Sequence, residues 1–166
     1  MKPLPRIWLL SDARNDAALE RALKRLPRGS GFVFRHYHLP EVERRERFAA
    51  LARMARSRGI RVVLSGSAAQ ARRWGADGSY GSHSGAMLAT AHSLRELRQV
   101  RRAQGVLLSP VFPTRSHPGG RVLGPLRFRL LAAQSPVPVI ALGGMNSARS
   151  RRLKWPRWAA IDAFLR

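Results

Sequence analysis

The chain has 166 residues, of which 45% are hydrophobic, and it contains no cysteine. This length fits one domain with a core of its own, and we take residues 1–166 as that domain. The absence of cysteine excludes disulfides, thiolate metal sites and cysteine nucleophiles, and it favours a cytoplasmic location. The first apolar run, Ile7-Trp8-Leu9-Leu10, is too short for a signal sequence or a membrane-spanning helix, so we expect no membrane partner.

The charge is strongly basic, with 31 basic and 9 acidic residues and a net charge of +22. Such a charge favours polyanionic partners: nucleic acid, anionic membranes or phosphorylated small molecules. The arginines are spread along the chain, however, which indicates solvated helix faces. There is no nucleic-acid-binding motif, and only 7% of the residues are aromatic and able to stack on bases. We therefore expect no nucleic-acid partner, and a basic polyanion-binding protein remains an alternative.

Short apolar runs alternate with amphipathic segments along the whole chain. Seven of these runs predict strands, at residues 7–10, 32–37, 62–64, 87–91, 106–108, 139–142 and 159–164. A weaker eighth strand is predicted at residues 78–81.

Helix signals lie between these strands. Apolar residues at three- and four-residue spacing predict two early helices, with the stripes Leu19, Leu23, Leu26 and Phe48, Leu51, Ala55. Pro40 is placed to begin the second of them, and Ser93-Leu94-Arg95-Glu96 reads as a capping box for a later one. A last stripe, Leu126, Leu130 and Ala133, predicts the apolar face of a helix before strand seven.

The repeated alternation of strand and helix predicts a parallel sheet with helices outside it. Eight strands suggest a compact (β/α)₈ TIM barrel, although the chain is short for one. We expect two features to shorten the barrel: a brief connection after strand four, and the lack of a helix after strand eight. An open doubly wound sheet is the alternative.

In both architectures ligands bind at the carboxyl ends of the strands, so polar residues there are candidate site residues. Gly143 and Gly144 follow strand seven, where two glycines let the backbone approach an anion and direct amides at it. His92 and His117 follow strands five and six and are the candidates for acid–base catalysis. Carboxylates are almost absent from these strand ends, so we predict no metal site.

Four segments, in order between residues 72 and 146, resemble motifs of the thiamine phosphate synthase/TenI family. "RRWGADGSYG" resembles A-x-x-G-A-D-G-V-H-L, and "TAHSLREL" resembles S-V-H-S-x-x-E. "GVLLSPVFPTRSHPGG" is similar to G-P-V-F-x-T-x-[ST]-K, and "PVPVIALGGMN" to P-V-x-A-I-G-G-I. The resemblance implies a (β/α)₈ barrel.

The resemblance also implies a function in thiamine biosynthesis. The synthases of the family are transferases that join a hydroxymethylpyrimidine diphosphate to a thiazole phosphate, and the TenI branch includes thiazole tautomerases. Both branches bind a phosphorylated thiazole at the Gly-Gly loop. By this resemblance the substrate- and phosphate-binding residues are Arg35, Thr90, Thr114, Ser116, His117, Gly143 and Gly144. Arg35 matches the diphosphate-binding arginine of the family's Q-x-R-x-K strand, His92 matches the histidine of the S-V-H motif, and His117 replaces the lysine of the synthases.

The departures from the family pattern concern the metal and catalytic positions. The family's Asn-Asp pair after strand three is Ser65-Gly66, and its second metal-binding aspartate aligns with Ser84 or Gly85. Mg²⁺ is a cofactor by family resemblance, but its ligands are not retained, so we expect no cofactor. The histidine of the tautomerases is Pro110. Asp162, predicted inside strand eight, lies near a family serine that helps to hold phosphate, where a carboxylate would repel it.

The sequence thus predicts a thiamine phosphate synthase/TenI-like protein that binds a phosphorylated thiazole or thiamine-like ligand at the C-terminal mouth of the barrel. One alternative is a non-catalytic binding or regulatory barrel that has lost the Mg²⁺-diphosphate site. The other is the polyanion-binding protein described above. Whether the chain is an enzyme, and its oligomeric state, stay open.

Overall fold

The fold is a closed barrel of eight parallel strands, β1 to β8 in chain order. The computed structural model describes residues 2–165. The strands are β1 Ile7–Leu10, β2 Gly31–Phe34, β3 Arg61–Ser65, β4 Gly78–Tyr80, β5 Leu88–Ala91, β6 Gly105–Leu108, β7 Val139–Ala141 and β8 Trp158–Ala160. The helices are a 3₁₀ helix at Ala13–Ala18, then α1 Leu19–Arg25, α2 Glu41–Ser57, α3 Ala68–Arg73, α4 Leu94–Gln99, α5 Gly124–Ala132 and α6 Ser147–Leu153. Within the described residues no helix is long and apolar enough to cross a membrane.

The first and last strands close the barrel, as the sequence predicted. Trp8 pairs with Ala159 and Leu9 with Ala160 in a parallel ladder, which excludes the open sheet. The connection between β4 and β5 contains no helix, and neither do residues 161–165 after β8. The barrel therefore keeps all eight strands and saves length at the connection between β4 and β5.

Two predicted strands are shorter than expected at their carboxyl ends. The strand predicted at 32–37 ends at Phe34, because the chain turns at His36, whose φ is +44°. The strand predicted at 159–164 ends at Ala160, so the prediction that Asp162 lies inside strand eight is wrong. Asp162 follows the strand and belongs to the rim of the barrel.

The barrel interior is packed with side chains from alternate strand positions, so it is a core and not a channel. Trp8 fills much of it and is fully buried opposite Gly31, its neighbour in the β1–β2 ladder. A Cβ atom on Gly31 would overlap the indole ring of Trp8. The remaining residues of this interior cluster include Leu10, Val33, Val63, Tyr80, Leu88, Leu107, Ile140, Ala159 and Ile161.

The helices form as the spacing predicted, with one face assigned wrongly. The stripes of α1 and α2 are buried against the barrel. In α5 the predicted stripe faces solvent: Leu126 is 74% exposed and Leu130 is 59% exposed. Phe128, Leu131 and Ala132 face the barrel instead. The α5 sequence is apolar on two opposite faces, so the spacing alone did not identify the inner one.

Candidate functional site

The carboxyl ends of the strands surround a cavity of about 750 Å³. Every site residue predicted from the sequence lines it: Arg35, Thr90, His92, Thr114, Ser116, His117, Gly143 and Gly144. Among the described lining residues there are four arginines (Arg14, Arg35, Arg115, Arg149), and the one carboxylate is Asp162. This balance of charge makes the mouth of the barrel suited to an anionic ligand.

The two glycines after β7 bring the loop that contains them, the Gly-Gly loop, against the loop after β6, residues 109–123, the β6 loop. Gly143 has a φ of +101° and Gly144 a φ of +60°, and a Cβ atom on Gly143 would lie 2.6 Å from Pro110 Cα. The amide of Phe112 donates to the carbonyl oxygen of Gly143 at 3.1 Å. Within the described residues no acceptor pairs with the amides of Gly143, Gly144 or Met145. Successive unpaired amides in a turn of this kind form an anion-binding concavity.

The hydroxyl groups of the β6 loop are held by local hydrogen bonds that leave their protons free. Thr114 Oγ1 accepts from the Ser116 amide at 3.3 Å, and Ser116 Oγ accepts from Arg14 Nη2 at 3.0 Å. Each hydroxyl therefore keeps its O–H to donate to a ligand oxygen. His117 lines the same loop, and its amide donates to the carbonyl oxygen of Thr114 at 3.3 Å.

His92 is oriented so that one ring nitrogen is available as a proton acceptor. Its Nδ1 lies 3.0 Å from the carbonyl oxygen of Ser109, which can only accept a hydrogen bond. The hydroxyl of Ser109 lies 3.2 Å from the same Nδ1 and can accept beside the carbonyl oxygen, so we assign the ring proton to Nδ1 and the lone pair to Nε2. The amide of His92 donates to Glu96 Oε2 at 3.0 Å, which holds the start of α4 beneath the ring.

Arg35, the residue matched to a diphosphate-binding arginine, is engaged at the end of β1. Its Nη2 donates to Asp12 Oδ2 at 2.8 Å, and its Nε donates to the carbonyl oxygen of Ser11 at 2.8 Å. Two of its donors are thus already used by this chain. The ion pair with Asp12 also cancels much of the charge that Arg35 would offer to a diphosphate.

The positions that match the family's metal site do not suit a cation. The hydroxyl of Tyr37 is hydrogen-bonded to Ser65 Oγ, and the carbonyl oxygen of Ser65 accepts from Arg44 Nη2 at 2.6 Å. Arg44 is itself buried, with its guanidinium 5.3 Å from the centre of the Trp74 ring. Mg²⁺ requires several oxygen ligands, preferably carboxylates, and a buried guanidinium beside it is unfavourable. The described residues contain no group of three His, Asp or Glu side chains that could hold a metal ion.

Several residues of the mouth were missed by the sequence analysis. Tyr80 forms part of the wall, and burial raises the pKa of its hydroxyl to about 12, so it remains a hydrogen-bond donor. Arg149 donates to the carbonyl oxygen of Gly144, and its guanidinium lies 5.0 Å from the centre of the Phe112 ring. Tyr80 stands where the family motif has a histidine, which is the one signal that could have identified it.

A buried histidine supports the loop after β2. His36 Nδ1 accepts from Ser11 Oγ at 2.8 Å, because the proton of the neutral ring lies on Nε2, which faces the carboxylate of Asp16. Its Nε2 donates to Asp16 Oδ1 at 2.8 Å. Burial lowers the pKa of His36, although Asp16 acts in the opposite direction. The imidazole is therefore neutral in the folded protein at neutral pH.

We expect the free energy of unfolding to decrease as pH falls below about 6.5, the ordinary pKa of histidine. The unfolded chain binds a proton there while folded His36, with its lowered pKa, still resists one. Urea unfolding between pH 5 and pH 8 measures this slope in the parent and in His36→Gln, which should lose part of it. His83→Gln changes an exposed histidine of another loop, which does not act on His36, and should keep the slope of the parent; equal slopes in all three proteins would contradict the assignment.

Comparisons with known proteins agree with the motifs. A family model described as thiamine monophosphate synthase matches residues 84–157, the part that contains β5, the β6 loop and the Gly-Gly loop. No curated protein matches the chain. A solved structure of thiamine phosphate pyrophosphorylase from Pyrococcus furiosus has a TM-score of 0.78 at 21% identity, covering 95% of this chain and 86% of that one.

A second solved structure shares the fold. It is thiamine phosphate pyrophosphorylase from Bacteroides thetaiotaomicron, with a TM-score of 0.62 at 11% identity, covering 96% of this chain and 84% of that one. Together, the family model and the shared barrel support the family that the motifs indicated.

Proposed function

We propose that this member of the thiamine phosphate synthase/TenI family binds a phosphorylated thiazole or thiamine-like ligand at the mouth of its barrel, without Mg²⁺. One observation carries the proposal: the donors of two loops converge on one cavity. The hydroxyls of Thr114 and Ser116 line the same arginine-rich cavity as the amides after β7, which have no acceptor among the described residues.

The phosphate is proposed to lie between the β6 loop and the Gly-Gly loop. Backbone amides and hydroxyls there donate to its oxygens, the surrounding arginines supply positive charge, and His117 offers a ring N–H donor. The ring of the ligand then lies deeper, against a wall that includes Leu142, Met145 and the hydroxyl-bearing Tyr80. A small ring with one phosphate is the class of ligand that these two parts accommodate.

The complete synthase reaction requires a second site for a diphosphate. The side chains at the carboxyl ends of β2 and β3 do not support one. Arg35 forms an ion pair with Asp12, and the hydroxyl of Tyr37 is hydrogen-bonded to Ser65 Oγ. We therefore derive no diphosphate-releasing step for this chain. Catalysis at the bound ligand is proposed to use His92 as the proton acceptor, because its Nε2 has no hydrogen-bond partner among the residues that the structure describes.

Isothermal titration calorimetry with thiazole phosphate tests the proposal directly. We expect saturable binding of one ligand per chain, with the same affinity in the presence of Mg²⁺ and in the presence of EDTA. The unphosphorylated thiazole alcohol is the matched control ligand and should bind much more weakly, since it lacks the anion. Binding that requires Mg²⁺, or equal binding of the alcohol, would overturn the proposed phosphate site.

His117 is expected to contribute as a donor to the phosphate. His117→Ala should weaken binding of thiazole phosphate roughly three- to tenfold, the usual scale for one charge-assisted hydrogen bond at a solvated site. His117→Lys, the residue of the synthases, should restore the affinity. His83 lies outside the cavity, hydrogen-bonded to Ser79, so His83→Ala is the control and should bind as the parent does. Parent-like binding by His117→Ala would remove His117 from the site.

A further inference from the structure

Arg14 reaches across the mouth and connects three of its loops. The residue follows β1, and its Nε donates to Asp162 Oδ1 after β8 at 3.0 Å. Its Nη2 donates to Ser116 Oγ of the β6 loop at 3.0 Å. Arg14, Ser116 and Asp162 all line the cavity. The guanidinium is therefore held by a carboxylate at the place where we propose that an anionic ligand binds.

The backbone beneath this ion pair is fixed by a buried asparagine. Asn15 Nδ2 donates to the carbonyl oxygens of Leu10 at 2.9 Å and Ile161 at 3.1 Å, and Asn15 Oδ1 accepts from the Asp12 amide. Asn15 is 1% exposed, whereas the side chains of Arg14 and Asp162 are 29% and 36% exposed. The main chain thus keeps the two residues adjacent, while their side chains lie at the surface of the mouth, free to exchange partners.

We propose that Arg14 is a ligand-binding residue of the mouth and that Asp162 is its internal competitor. This proposal rests on the phosphate site proposed above. In the free protein the carboxylate of Asp162 is ion-paired with the guanidinium of Arg14. The phosphate of the ligand displaces this carboxylate. A carboxylate and a phosphate present similar oxygen acceptors to the fork of an arginine, so one can take the place of the other.

The exchange also determines which anions are selected. A ligand must interact with Arg14 more strongly than Asp162 does, and it must tolerate the freed carboxylate nearby. A phosphate monoester dianion satisfies the first condition better than a singly charged carboxylate or sulfate ester. Ser116 favours the exchange because its hydroxyl already holds the guanidinium beside the β6 loop. Arg115 and Arg149 line the same mouth and offset the freed carboxylate, so we expect the pair to favour dianionic phosphate monoesters over singly charged anions.

Calorimetry with thiazole phosphate on charge variants tests the exchange. Asp162→Asn should tighten binding about three- to tenfold, because the guanidinium then keeps only its longer ion pair, 3.9 Å between Arg14 Nη1 and Asp12 Oδ1. Arg14→Gln should weaken binding about tenfold or more, and Arg14→Lys should bind more weakly than the parent because a lysine lacks the fork. Glu43→Gln changes the net charge as Asp162→Asn does, at an exposed position on α2, and should bind as the parent does.

A second measurement follows the displacement itself. The NMR resonance of the Arg14 Nε–H, assigned by its loss in Arg14→Lys, should shift when thiazole phosphate is added to the parent. In Asp162→Asn without ligand it should already be shifted from the parent position. If no protein binds thiazole phosphate, the proposed function fails. If the parent binds but Asp162→Asn is not tighter, or the Arg14 resonance does not move, the exchange is wrong while the phosphate site stands.

Discussion

Gly144→Ala is expected to lower the free energy of unfolding by about 2–5 kcal/mol, the sum of a left-handed backbone cost and an overpacking cost. Gly144 has a φ of +60°, a conformation that side chains disfavour. The added Cβ atom would lie 2.5 Å from the carbonyl oxygen of Pro113 and 3.0 Å from Phe112 Cβ. Both neighbours belong to the β6 loop, so the substitution would also force the two loops of the mouth apart.

Gly119 provides the matched control for this substitution. It lies in the β6 loop with a φ of +71°, and a Cβ atom on it would meet nothing within 4 Å. Gly119→Ala should therefore show only the backbone cost, about 1–2 kcal/mol. Thermal and urea unfolding of the two variants separates the contributions. Equal stability of the two variants would show that the contact between the loops is not tight at Gly144.

The same pair of variants connects packing to function. Because Gly144→Ala separates the β6 loop from the Gly-Gly loop, we expect it to lose affinity for thiazole phosphate while it is still folded. Gly119→Ala should keep the affinity of the parent. Both glycines of the turn are required by this contact between the loops, because a Cβ atom would lie 2.6 Å from Pro110 Cα on Gly143 and 2.5 Å from the carbonyl oxygen of Pro113 on Gly144.

The sequence predicted the contents of the mouth because parallel strands end at one edge of the barrel. Because β5, β6 and β7 are parallel neighbours, the residues at their carboxyl ends lie close together whatever the positions of the helices. Thr90, His92, the β6 loop and the two glycines therefore all line one cavity. The strand runs are short and apolar, which is a strong local signal, and their order gave the closure of β1 on β8.

The sequence did not predict the contacts between side chains of loops that are far apart along the chain. Arg14 bonds to residues 102 and 148 positions further along the chain, and no spacing rule refers to such pairs. No spacing rule refers to the hydrogen bond of Tyr37 to Ser65 either. This bond lies where, by the resemblance, the family binds a diphosphate. The sequence showed that the metal ligands were absent, but it could not show which side chains occupy their place.

Helix α5 shows a different limit, since its sequence satisfies the spacing rule twice. Leu126 and Leu130 are four residues apart, and Phe128 and Leu131 are three apart, on opposite sides of the helix. The rotation of α5 is set by the β6 loop that leads into it, where the amide of Gly124 donates to the carbonyl oxygen of Val111 at 2.9 Å. This anchor turns Phe128 inward, and the leucine stripe is left in solvent.

Phe128→Ala is accordingly expected to lower the free energy of unfolding by about 3–5 kcal/mol, the usual cost of removing a fully buried aromatic ring. The Phe128 ring is 0% exposed and packs edge-on against Trp155, with 5.1 Å between the ring centres. Leu126→Ala, two residues earlier in the same helix, removes a side chain that is 74% exposed and should change stability by less than about 0.5 kcal/mol.

Urea unfolding of these two variants and the parent decides between the two possible faces of α5. A large loss for Phe128→Ala with a small one for Leu126→Ala establishes the rotation described here. The reverse order would mean that α5 is rotated by about half a turn, with its leucine stripe against the barrel. Because α5 begins where the β6 loop ends, that result would also displace the loop that carries Thr114, Ser116 and His117, and the proposed phosphate site would have to be abandoned with it.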